Sequence, residues 1–124
     1  MIPESFSARN IQLFECSKFP HQWQHKMDLM TNVVAADTTL IFHQNKWWMF
    51  TNMVENEGSS LDDELYLFYA NIPITDQWKP HAQNPVISDI RTARPAGNIF
   101  KYKNQWVRPA QDCAKYYGYG LQFF

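Results

Sequence analysis

The chain has 124 residues, enough for one core, and 45% of them are apolar. Its formal charge is −1 and it contains no run of Lys or Arg, so nothing in it gathers a phosphate backbone and nucleic acid is not an expected partner. No segment reaches the roughly 18 apolar residues of a membrane-spanning helix, and the first ten residues carry Glu4 without an apolar run, which makes the cytoplasm the default compartment.

Residues 10–34 read as the outer strand of a structural unit that precedes the rest. A helix over 21–36 is the alternative, because His21, His25, Leu29, Met30 and Val33 recur near helical spacing. Thr38–His43 and Trp47–Met53 are rich in β-formers and flank a Gln-Asn-Lys turn, which predicts an antiparallel hairpin. Neighbouring strand residues point to opposite faces, so Trp47 and Trp48 are expected to serve different surfaces. The acidic stretch from Glu55 to Glu64, with Gly58, Ser59 and Ser60, reads as a solvated loop. Leu65–Ala70 predicts a third strand. Beyond Pro73, the prolines at 80 and 85 forbid a helix and suit an outer, edge-like fourth strand through Asn84-Pro85-Val86-Ile87.

A second passage repeats the first. Gln22-Trp23 recurs as Gln77-Trp78, and Asn45-Lys46-Trp47-Trp48 recurs as Asn104-Gln105-Trp106-Val107. Asn98–Tyr102, a turn at Lys103-Asn104, Gln105–Arg108 and Tyr116–Phe124 would form the second hairpin and its third strand. Such a recurrence, with five Trp, six Tyr and nine Phe, marks an all-β repeat architecture of the propeller type. The expected fold is a partial β-propeller of about two blades built as antiparallel four-stranded meanders, with an outer strand at 10–34, a full blade at 36–88 and a partial blade at 93–124. Repeats of this kind bury their faces only against further units, so self-association or additional blades are expected.

Cys16 and Cys113 fit no metal or redox motif and read as two buried, reduced thiols. The pair His21 and His25 would suit a metal only on a helix and lacks completing ligands, so neither a metal nor a cofactor is expected.

Ala36-Asp37 before Trp47-Trp48-Met49-Phe50, together with Trp78-Lys79-Pro80 and Asn84-Pro85-Val86, resembles the five-bladed β-propeller glycoside hydrolases of the arabinanase, invertase and levansucrase superfamily. The segments Ala93–Gly97 (ARPAG) and Arg108–Cys113 (RPAQDC), followed by Tyr117–Gly120 (YGYG), more closely resemble the propeller-like N-terminal region of glucosamine inositolphosphorylceramide transferases and related bacterial proteins. The likeness covers about residues 20–124. It implies a soluble, glycosidase-like module that recognises carbohydrate in glycan or glycolipid modification.

The resemblance also implies that Asp37 stands where the hydrolases carry a base or nucleophile. Glycoside cleavage needs a second carboxyl group. The hydrolases hold one in an Arg-Asp-Pro motif, but this chain reads Ala93-Arg94-Pro95-Ala96, and no Glu follows Glu64 to act as general acid. Catalysis by the chain alone is therefore not expected. Saccharide contacts are expected from Arg94, Arg108, Gln111, Asp112 and Trp48, which offer planar donors, amide and carboxylate partners and a ring face. The structural alternative pairs Arg94 with Asp37 or Asp112 to tie adjacent blades. A ligand-free scaffold for protein interaction, and a hydrolase that borrows its acid from another chain, are the other functional readings.

Overall fold

A computed structural model describes residues 1–56 and 58–124; Glu57, one of the five acids in the acidic stretch, lies outside the described residues. The chain is all-β, with 52% of it in strands and, among the described residues, no helix beyond a single 3-10 turn at Phe6–Ala8. Among the described residues every strand pairing is antiparallel and no barrel closes, an arrangement consistent with a partial propeller-like fold.

Residues 10–34 form more than one outer strand. β1 (Asn10–Lys18) and β2 (Gln22–Thr31) pair as a long hairpin with three register shifts. The helical alternative for 21–36 is therefore overturned. Its apolar spacing arises because bulges reset which β2 side chains face inward, placing Leu29 at 0% exposure.

The central sheet takes β3 (Val34–His43), β4 (Lys46–Val54) and β5 (Glu64–Ala70) in order. The fourth strand is broken into two short pieces, β6 (Lys79–Pro80) and β7 (Ile87–Ser88), both paired with β5. Asn84 fills the gap. Its Oδ1 accepts the Leu67 N–H and its Nδ2 donates to the Leu67 carbonyl, both at 2.8 Å, so the side-chain amide supplies the acceptor that no backbone carbonyl offers the Leu67 N–H, beside the His81 N–H that also reaches the Leu67 carbonyl at 2.9 Å.

The chain from residue 93 onward forms two separate two-stranded sheets, together called the last sheet below, and this part begins at the two Arg-Pro-Ala segments. Ala96 N–H donates to Pro109 O and Gln111 N–H to Arg94 O, so the segments are antiparallel partners. Pro109 has no N–H to return, and the ladder breaks off at Gly97, whose φ is +127°. Pairing resumes between β8 (Phe100–Tyr102) and β9 (Gln105–Val107). β10 (Pro109–Asp112) follows β9 after one residue and pairs with β11 (Gly120–Phe123).

The sequence repeat is a structural repeat. Gln44-Asn45 and Lys103-Asn104 all have positive φ, the conformation of a two-residue turn that follows strand twist. The Trp23 and Trp78 indoles each donate to the carbonyl three residues before them, at 2.9 Å. Asp37, at φ +53°, sits in a bulge between Ala36 and Thr39 that corresponds to the opening at Gly97.

The main core lies between the β1–β2 hairpin and one face of the central sheet, with Ile11, Leu29, Met49, Tyr66, Phe68 and Trp78 buried. Trp47 packs against this core, while Trp48 turns to the opposite face, towards the last sheet. Cys113 is buried, but Cys16 is only half-buried because its hairpin has one open face, which corrects the expectation of two buried thiols.

Candidate functional site

The bulge in β3 turns Asp37 towards the beginning of the last sheet. Arg94 Nε donates to Asp37 Oδ2 at 2.7 Å, and Arg94 Nη1 donates to Asp62. Gln111, directly across the strand pair from Arg94, donates to the same Asp37 oxygen at 3.3 Å and to the Pro95 carbonyl at 2.9 Å. Three of the six residues expected at the site are therefore one hydrogen-bonded cluster. Burial alone would lower the Arg94 pKa, but the hydrogen bonds it donates to Asp62 and Asp37 overcome it and push the guanidinium further above its ordinary range.

The other three residues lie apart from this cluster. Asp112 takes the Gln122 amide and the Ala114 N–H, so it does not pair with Arg94. Asp112 itself reaches across to Gln122 on the paired strand β11. Trp48 and Arg108 line a separate, mostly apolar cavity of about 320 Å³ between the central and last sheets. Arg94 and Arg108 stand on paired segments, yet they serve different surfaces.

A polar cavity of about 210 Å³ borders Asp37. Thr38, Thr39, Asn10, Asn98 and Glu4 supply its polar lining, and Ile2, Pro3 and Ile11 its apolar wall. Asn98 Oδ1 accepts from the Thr39 hydroxyl at 3.4 Å, and Asn10 Oδ1 is buried without a partner. No Trp lines this space among the described residues, and the ring beside the cluster is Tyr117, 4.7 Å from Arg94 Cζ.

Four residues of this region were not expected. Glu4 is a second carboxylate on the cavity, but its oxygens accept the backbone N–H groups of Ser5, Phe6 and Asp37, which makes it a clasp for the N-terminal segment. Its spacing from Asp37 carries no local signal. Asp62 belongs to the acidic stretch read as a solvated loop, and that reading is corrected for Asp62, which is one quarter exposed and ion-paired. Asn98 and Tyr117 sit in the ARPAG–NIF and YGYG segments. Their proximity to Asp37 arises only from the pairing of the two Arg-Pro-Ala segments.

His21 and His25 lie in a turn and a strand; His25 bonds Asp28 at 2.8 Å. No helix among the described residues is long and apolar enough to cross a membrane.

The profile of the family described as glucosamine inositolphosphorylceramide transferase 1, N-terminal, matches residues 1–124. Among curated proteins, the chain is 29% identical over 126 residues to glucosamine inositolphosphorylceramide transferase 1 of Oryza sativa subsp. japonica, covering 100% of this chain and 17% of the relative. It is 28% identical over 120 residues to the Arabidopsis thaliana protein of the same name, covering 95% of this chain and 15% of the relative. The chain thus spans about one sixth of the length of these relatives. No solved structure gives a significant match.

Proposed function

The chain belongs to the glucosamine inositolphosphorylceramide transferase 1 N-terminal family, and from that membership we propose that it is a carbohydrate-recognising module of glycolipid modification. Its shape is a partial, glycosidase-like propeller, with an outer unit at about 10–34, a blade at about 36–88 and a partial blade at about 93–124. Further blades or a second copy cover the faces left open. The relatives are named as transferases for glucosamine inositolphosphorylceramide, and the support for placing this chain beside such chemistry is their likeness along its whole length.

The observation that carries the reading is the polar cavity beside Asp37. Hydroxyl, amide and carboxylate groups converge on a space of about 210 Å³, and the Arg94 cluster fixes one wall. Saccharide hydroxyls are both donors and acceptors, and a lining of Asp37, Thr38 and Asn98 presents both kinds of partner. Asp37 binds and orients here. A catalytic role is not part of the proposal, because Asp37 Oδ2 already takes two donors and the Glu4 oxygens are filled by backbone N–H groups. Calorimetric titration with neutral mono- and disaccharides tests it: the parent chain binds at least one of them, Asp37→Asn and Asn98→Ala weaken it, and a parent that binds none overturns the reading.

The scaffold reading draws on a different observation. Arg94 joins two sheets through two carboxylates, and Phe19, Phe42, Ile72 and Ile74 expose more than half of their surface. Large apolar groups left in solvent favour a covering partner. Self-association without any saccharide response would favour this reading.

A further inference from the structure

The cavity between the central and last sheets has a chemical polarity unlike that of the Asp37 site. Its walls are mostly aliphatic and aromatic, and its polar side chains are Arg108, His43, His81 and two indoles. Both indole N–H groups are already used: Trp48 donates to the His43 carbonyl at 3.0 Å, and Trp106 donates to His43 Nδ1 at 3.2 Å. His43 Nδ1 is thus an acceptor, so the neutral ring carries its proton on Nε2. His81 is fixed the same way, because its Nδ1 accepts the Gln83 N–H at 3.1 Å. Each imidazole has one spare group, and it is a donor.

Arg108 adds a charge without a counter-charge. Arg91 and Arg94 both pair with aspartates, but Arg108 pairs with no carboxylate among the described residues. Its Nη2 donates to the Thr92 carbonyl at 2.7 Å, and Nη1 is buried with no hydrogen-bond partner. A partly buried guanidinium group with one nitrogen left unsatisfied is costly, and burial lowers its pKa. Phe124 lies over it, with the ring centroid 5.6 Å from Cζ.

We propose that this cavity binds an oxyanion, a phosphate or a carboxylate, carried on a flat apolar body. The lining supplies spare N–H donors and no acidic side chain, so an anion gains hydrogen bonds and a charge partner there, whereas a cation meets ring faces and the repelling Arg108 charge. Trp48, Trp106 and the apolar walls take the body of the ligand, while the anion reaches the guanidinium by displacing the Phe124 ring. This site is independent of saccharide binding beside Asp37.

Titration with phenyl phosphate, phenylacetate and the uncharged phenylacetamide, followed by the Trp48 and Trp106 indole N–H resonances, tests the proposal. One or both anions should shift these resonances and bind about tenfold more tightly than the amide. Which anion wins distinguishes phosphate from carboxylate. Arg108→Gln should abolish the preference, whereas Arg91→Gln, at an exposed arginine, should leave it intact. Equal binding of all three probes, no indole shift in the parent chain, or a preference that survives Arg108→Gln would each overturn the site. Should Arg108→Gln fail to fold, the parent titration alone decides.

Discussion

Arg94 reaches Asp37 across 57 residues of chain, Nε to Oδ2 at 2.7 Å, and so joins the start of the last sheet to the bulge in β3. Asp62 holds the other branch of the same guanidinium group. Replacing Arg94 by Met should leave two partly buried carboxylates facing each other. Complete burial would make that loss about 3–5 kcal/mol, and the partial exposure of the acids reduces it to about 2 kcal/mol. Arg94→Lys, which keeps the charge but loses the fork, should cost about half as much. Chemical denaturation checks both, and equal stability of all three proteins would mean that the cluster contributes nothing to holding the sheets together.

Asn84 is the second structural joint. Ala at this position would leave the Leu67 N–H without a partner, and Asp would set a carboxylate against the Leu67 carbonyl. The expected cost is about 1–3 kcal/mol for Ala and more for Asp. Amide hydrogen exchange at Leu67 should accelerate in both variants, and an unchanged rate would show that the side chain is not the rung.

Tyr66 gives a pH dependence with a definite sign. Its phenol is 2% exposed and donates to Glu64, and burial first, then the acidic neighbours, raise its pKa well above the ordinary phenol range. The folded chain keeps a proton that the unfolded chain releases near pH ~10. Stability from this group is therefore fully present below about pH 10 and declines above it. Comparing alkaline unfolding of the parent with that of Tyr66→Phe should show a shallower decline in the variant.

The two thiols should differ in reactivity. Burial raises the Cys113 pKa and shields the sulfur, whereas Cys16 lies half-exposed on the first hairpin. A disulfide reagent at neutral pH should modify Cys16 in the folded protein and Cys113 only after denaturation. Rapid modification of both would contradict the packing around Cys113.

The repeat, the hairpin turns and the third strand were legible because each rests on local signals. Gln44-Asn45 and Lys103-Asn104 occupy the turn conformation that their residue types allow, and the paired Trp residues make the same local hydrogen bond. The fourth strand was legible in place but not in form, since nothing local announces that Asn84 will stand in for backbone. The pairing of Arg94 with Asp37 could be expected, but Asp62 displaced Asp112 as the second partner because Asp112 is held by Gln122 on its own sheet. Arg108 and Trp48 could not be separated from Arg94 by reading alone. Which side of a strand a side chain serves depends on irregularities such as the bulge at Asp37 and the break in pairing at Gly97, and one added residue reverses the face.

The most direct test of saccharide recognition follows the backbone amides of Thr38, Gly97 and Asn98 by nuclear magnetic resonance, since no described Trp lines the cavity to report on it. Titration with neutral mono- and disaccharides should produce saturable shifts at these three amides, and Asp37→Asn should weaken them. Amides that stay unmoved, or shifts spread evenly over the surface, would contradict carbohydrate recognition beside Asp37.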